Sequence, residues 1–186
     1  AYRTLSVHGD MELRRYEPML VAEVTRSGSR RAAANAGFRA LADYIFGANV
    51  PSEKIEMTAP VTQAPARGGR RSGERIEMTA PVSQLPAAGG AWRIRFVMPE
   101  GYTKASLPKP ENPEIRIIEE PATTYAVVRF SGIPGGDKLA RKTEELRAFM
   151  AARGLPEEGD PVYAFYDPPW TLPFLRRNEV MIETTR

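Results

Sequence analysis

Apolar and polar residues alternate along the segment Ile-Glu-Met-Thr-Ala-Pro-Val, which occurs twice, at Ile55 to Val61 and at Ile76 to Val82. Ile, Met, Ala and Val share one parity, and Glu, Thr and Pro the other. That is the period of a strand with one buried face. Lys54 and Arg75 precede the copies, and Thr62-Gln63 and Ser83-Gln84 follow them. The stretch between, Ala64 to Glu74, is rich in Gly, Arg and Pro and reads as an exposed loop. The copies are therefore expected to be hairpin arms or neighbouring strands. Pro60 and Pro81 lack an N–H, so each should lie at a strand end, an edge or a bulge. On composition alone the repeat is a duplicated structural hairpin with no chemistry of its own.

Helical spacing appears in two other places. From about Arg30 to Phe46, Ala33, Phe38, Leu41, Ala42 and Ile45 share a face; from about Asp137 to Arg153, Leu139, Leu146, Phe149 and Met150 do. Asp137 is a candidate N-cap, and Gly47 and Gly154 are candidate stops. A weaker, longer repeat relates Arg14 to Ser29 to Ile117 to Gly135, each a strand and loop leading into a helix. Further strands are expected at Glu53 to Val61, Arg75 to Gln84 and Trp92 to Met98 in the first half. Pro161 to Tyr166 and Glu179 to Glu183 are expected in the second. The order strand, helix, strand, strand thus recurs in two halves, about 14–98 and 116–183, within one domain spanning 1–186. Each helix needs a sheet to cover, so the pattern predicts an α+β fold. Its two half-sheets would join into one curved antiparallel barrel with a helix against each half.

Bulk properties narrow the chemistry. With 186 residues and 42% apolar content the chain can bury a core. Its net charge is +3. The Arg cluster at Arg67, Arg70, Arg71 and Arg75 falls in the predicted loop without interleaved aromatics, so it reads as a solvated loop and no nucleic-acid partner is expected. There is no Cys, which excludes disulfides, zinc–thiolate sites and thiol nucleophiles. A single histidine, His8, argues against a histidine metal cluster or a Ser-His-Asp triad with a spare ligand. No apolar run approaches membrane-spanning length, so no integral span is expected in this chain. The sequence begins at Ala1 without Met, which is compatible with removal of an upstream signal or anchor. A cytoplasmic or an exported location is equally open.

Three segments carry a family resemblance: the doubled Met-Thr-Ala-Pro-Val; Pro168-Pro169-Trp170-Thr171-Leu172-Pro173-Phe174 with Arg176-Arg177-Asn178-Glu179-Val180; and Glu12-Leu13-Arg14-Arg15-Tyr16-Glu17-Pro18 followed by Leu20 to Val24. On these the chain resembles the SOUL haem-binding protein family, in particular its bacterial members. The resemblance implies a pseudo-twofold distorted antiparallel β-barrel flanked by two α-helices. Bacterial effector-binding domains, which hold small hydrophobic molecules between the halves, look similar. It also implies a ligand, haem or another tetrapyrrole, that is not required for folding.

The resemblance places the ligand slot along the first helix and the late loop, at Phe38, Leu41, Ala42 and Ile45 with Trp170, Leu172 and Phe174. Arg39, Arg176 and Arg177 are the candidates to pair with propionates. The family's basic helix anchors fall near Asn35 and Ala40 and are not matched. His8 is the only strong nitrogen ligand for iron, but it reads as a turn residue. The family's ligating histidine lies just ahead of the first helix, where this chain has Thr25 to Arg30 and no histidine. Ring burial and propionate pairing, without axial ligation by histidine, are therefore expected.

Met57 and Met78 fall on the inward parity and read as core; Glu56 and Glu77 read as facing water. Tyr16, Tyr44, Tyr125, Tyr163 and Tyr166 suit a mostly apolar site with hydrogen-bonding tips. A rigid, proline-rich loop carrying Trp170 should cover something apolar. Non-covalent binding of a flat hydrophobic molecule, without catalysis, is the function these features favour. The alternatives are an enzyme acting on such a molecule, by metal removal or hydrolysis, and a partner-binding module. A buried Tyr–Glu pair in the cleft would favour the enzyme, although no spacing selects one. A cleft filled by its own side chains would favour the partner module.

Overall fold

The computed structural model describes residues 1–50, 73–76, 81–167 and 171–185. The first half contributes β1 (Tyr2–His8), β2 (Met11–Tyr16), β3 (Met19–Arg26), α1 (Arg30–Ile45), β4 (Asn49–Val50), β5 (Val82–Pro86) and β6 (Trp92–Val97). The second contributes β7 (Lys109–Pro110), β8 (Arg116–Glu120), β9 (Thr123–Phe130), α2 (Gly136–Ala152), β10 (Glu158–Phe165) and β11 (Asn178–Glu183). β4 and β7 pair only with each other. The remaining nine strands form one antiparallel sheet in the order β1-β2-β9-β11-β10-β5-β6-β3-β8. β1 and β8 are its two edges. Among the described residues the expected barrel is thus an open sheet rather than a closed one.

Apart from β1, the order reads the same from both ends. Exchanging β2 with β8, β9 with β3, β11 with β6 and β10 with β5 maps the sheet onto itself, about the seam where Tyr163 of β10 faces Gln84 of β5. α1 packs on β3 and β6, and α2 on β9 and β11, so both helices lie on one face. Strand alternation sends Ala22, Val24, Ile94 and Phe96 beneath α1 to meet Ala33, Leu41, Tyr44 and Ile45. Ala126, Val128, Val180 and Ile182 meet Leu139, Leu146 and Met150 beneath α2. Gly37 lets α1 approach the sheet closely, since a Cβ there would lie 2.7 Å from the Ile94 side chain.

The helix ends match the sequence in part. Gly47 and Gly154 have φ of 113° and 62° and end α1 and α2 in the left-handed conformation that favours glycine. Ser29 caps α1, its hydroxyl accepting from the Ala32 N–H. Asp137 is not the N-cap of α2. That position is Gly135, with no side-chain cap, and Asp137 stands in the first turn, where its carboxylate complements the helix dipole. His8 is not a turn residue either. It ends β1 opposite Met11, and Gly9 and Asp10 make the turn.

The first copy of the repeat, the strand expected at Glu53 to Val61, and Arg67, Arg70 and Arg71 lie outside the described residues. So do Met57, Met78, Glu56, Glu77 and Trp170. Of the second copy, Ile76 is fully buried under α1, its N–H donating to Ile45 O. β5 begins only at Val82, so Pro81 directly precedes a strand, a position that needs no ladder donor.

The face away from the helices is held by charges. The Glu179 carboxylate is fully buried. Its Oε2 accepts from Arg14 Nη1 (2.9 Å) and from the Tyr166 hydroxyl (2.8 Å), and its Oε1 from Arg177 Nη2 (2.7 Å) and Nε (3.0 Å). Arg14 Nε also donates to Glu12, and the Tyr2 ring lies 4.5 Å from its guanidinium. Across the sheet, Glu23 on β3 accepts from Arg95 and Arg116, both at 2.7 Å. Burial pushes the Glu23 carboxyl up, but the two guanidiniums outweigh it and hold it below the usual carboxylate range. The hydrogen bond from Arg14 holds Glu12 low as well.

Two outcomes follow for stability. Glu179→Leu leaves two guanidiniums without their partner and should destabilise the fold by about 3–5 kcal/mol in urea unfolding, the range for a broken buried pair. An unchanged midpoint would show that the network contributes nothing. Because Glu12 and Glu23 have lowered folded-state values, their contribution is complete above the ordinary value of 4.5 and is lost as pH falls through the folded values. Thermal melts should therefore drop on acidification below that point, and less so in Glu23→Gln.

Candidate ligand-binding site

Two concavities are candidates. The first is a recess of about 80 Å³ on the helix-free face, along the line where the halves join. Met19, Val21, Val97, Val162 and Met181 line it, with Tyr16 and Tyr125 beside them and Arg95 and Glu120 in an ion pair at 3.0 Å. The tyrosine rings pack edge-on with centroids 5.6 Å apart. Burial, followed by the charges of Glu183 and Glu120, pushes the Tyr125 phenol up to about 12. The recess has room for a few water-sized groups and is far short of a tetrapyrrole.

The second is an open basin of about 660 Å³, between the end of β9, the first turns of α2 and the loop before β11. Five cations line it, Arg129, Lys138, Lys142, Arg176 and Arg177, against one acid, Asp10; Phe130 and Leu175 supply the apolar surface. Strand period places Arg129 on the opposite side of β9 from Phe130, at the strand end where both reach the opening. Helical period places Lys138 and Lys142 one turn apart on α2.

The cations are held in place. Lys138 Nζ donates to Ser131 O at 2.7 Å and lies 5.6 Å from the centre of the Phe130 ring. Gly132, with φ of 95°, turns the chain beneath it, where a Cβ would come within 2.6 Å of that ammonium. Lys142 pairs with Glu145, and Arg176 Nε donates to Thr171 O. Arg177 is committed to Glu179 and stacks on the Tyr166 ring at 4.1 Å. Its backbone N–H donates to Asp167.

The sequence candidates divide between these places. Arg176 and Arg177 line the basin, and Leu172 and Phe174 stand exposed beside it, at 55% and 69%. Leu41 and Ile45 are fully buried in the core under α1 and offer a ligand no surface. Ala42 is half-buried; Phe38 is exposed and packs against Phe96; Arg39 Nε donates to Asn35 O. These helix positions lie two turns or more beyond Arg30, the residue that joins α1 to Pro134 next to the basin. His8 is exposed, its ring 5.8 Å from Phe149 and two residues from Asp10.

Lys138, Lys142, Arg129 and Phe130 were missed, although the one-turn spacing of the two lysines was a readable signal. The Tyr166–Glu179 contact was missed too. A separation of thirteen residues across a hairpin has no local period. Among the described residues no three His, Cys, Asp or Glu side chains gather as a metal site.

Guanidinium and ammonium donors thus stand around Phe130 and Leu175, an arrangement able to receive anionic groups. Acid–base catalysis does not fit the Tyr166–Glu179 pair. Four donors fill the four acceptor positions of the Glu179 carboxylate, so none faces a substrate.

The fold has solved counterparts. It aligns with the C-terminal domain of EcmrR at a TM-score of 0.61 and 12% identity, covering 100% of this chain and 98% of that one. It aligns with a hydrolase from Listeria innocua at 0.60 and 11%, covering 97% and 94%. In an EcmrR–DNA complex it aligns at 0.64 and 12%, covering 95% of this chain and 57% of that one. At such identities the likeness is one of fold. No curated protein matches the chain. The SOUL heme-binding protein family model, however, runs from residue 1 to residue 183, and the protein is a member of that family.

Proposed function

We propose that the protein binds haem, another tetrapyrrole or a similar flat hydrophobic molecule with carboxylates, non-covalently, in the basin beside α2. The observation that carries this reading is the opposition of five cations to one acid around Phe130 and Leu175. A tetrapyrrole supplies the planar macrocycle and its acids. The chain supplies ring contacts from Phe130 and Leu175 and ion pairs from Lys138, Lys142, Arg129 and Arg176. Arg177 orients the wall through Glu179 rather than through the ligand. Family membership makes haem the natural probe. The saturated Glu179 carboxylate supports binding over acid–base catalysis by the Tyr166–Glu179 pair.

Absorbance titrations with ferric haem and with metal-free protoporphyrin test this directly. Both should bind with affinities within about tenfold of each other, since the carboxylates rather than the iron are recognised. Lys142→Glu, which also breaks the pair with Glu145 and is to be checked for an unchanged thermal midpoint, should weaken both by about tenfold, or ~1.4 kcal/mol. Equal binding by wild type and variant would move the site elsewhere.

The histidine test is separate. His8→Ala should leave haem affinity within a few fold, with an unchanged Soret band. A shifted band together with selective loss of the ferric ligand would make His8 an axial ligand and overturn binding without histidine ligation.

A further inference from the structure

Ile133, Leu172, Phe174 and Leu175 are between 55% and 69% exposed, and they account for four of the ten exposed large apolar side chains among the described residues. They are gathered at one place. The Gly132 N–H donates to Pro173 O at 2.8 Å and joins the loop before α2 to the loop before β11. In the described part of the second loop, Pro173–Leu175 form a 3-10 turn that begins with Pro173 and is closed by Leu175 N to Leu172 O and Arg176 N to Pro173 O. The apolar tip is thus fixed rather than loosely extended. Single exposed apolar residues are ordinary on a protein surface, whereas a fixed group of four marks an interaction surface.

The charge around the tip selects the occupant. Leu175 lines the cationic basin, so Arg129, Lys138, Lys142, Arg176 and Arg177 flank the apolar group on that side. A second copy docking face to face would bring the same five cations against each other, which is unfavourable. An exposed apolar group next to clustered Lys and Arg is the pattern of a peripheral contact with an anionic bilayer: apolar groups enter the headgroup boundary while cations meet phosphates.

We infer that the loops at Ile133 and Leu172 to Leu175 dock the protein peripherally on a membrane surface containing anionic phospholipids. The tip enters the interface, and Lys138, Lys142 and Arg129 contact headgroups. The tip stands on the rim of the basin, and the cations it shares with the basin are the ones the ligand reading also uses.

Co-sedimentation with vesicles of phosphatidylglycerol and phosphatidylcholine, compared with phosphatidylcholine alone, tests the inference without porphyrin present. Binding is expected only to the anionic vesicles and should fall as salt rises. The double variant Phe174→Ser/Leu175→Ser should lose at least tenfold in partitioning, with its thermal midpoint checked beside wild type. If that variant does not fold, Lys142→Glu is the second probe, with a loss of about fivefold expected for a reversed surface charge. No binding to anionic vesicles, equal binding to neutral ones, or full binding by the double variant would each overturn the inference. So would a solution dimer that the double variant disrupts, which would give the tip to a second copy. Retention of duplex DNA in place of vesicles would give the face to nucleic acid. Porphyrin titration in vesicle-free buffer reports the ligand reading alone, so either proposal can fail while the other stands.

Discussion

A sheet covered by helices on one face only has to satisfy the side chains of its other face from within itself. Here the uncovered face carries Arg14, Glu23, Arg95 and Glu179, all largely withdrawn from water. Each would be expensive to bury alone. They are tolerable because each carboxylate meets two guanidiniums and the strands supply the geometry. Glu179 on β11 draws in Arg14 from β2, two strands away, and Tyr166 from the end of β10. The same requirement explains the tyrosine cluster at the recess between the halves. It also explains why a Tyr–Glu contact in this protein holds the sheet together and is not poised for chemistry.

The helices and most strands were legible because their signals are local. Amphipathic spacing located α1 and α2 to within a residue or two, and alternation located β6, β9 and β11. Barrel closure was not legible, since it depends on whether the edge strands meet, and no residue in β1 or β8 encodes that alone. Of the residues singled out from the sequence, Arg176 and Arg177, in the loop before β11, line the basin. On α1 a shared apolar face cannot distinguish core from ligand wall, and there Leu41 and Ile45 are fully buried. The basin joins a strand end, a helix start and a distant loop, and only the pairing of β9 with β11 brings these together.

Family membership and the particular chain pull in different directions at the metal. The family is one of heme binders, yet the segment before α1 has no histidine, and His8 sits at a strand end against Phe149. If the ligand is held through its carboxylates, as proposed above, the tension resolves, because such a site is indifferent to iron. It also follows that selectivity would come from the number and spacing of a ligand's acids rather than from its metal.

The strand order carries a consequence for how the chain comes to be folded. β2, near the start of the first half, pairs with β9 in the second; β8, near the start of the second half, pairs with β3 in the first. Each half lends its leading strand to the other. Neither can complete its own sheet in isolation, and a break between them would leave two fragments with unmet edges rather than two small domains. The contacts that finish the structure therefore join residues about a hundred positions apart. Chain closure over such distances slows folding. The reciprocal exchange makes the sheet one cooperative object, assembled late and lost together.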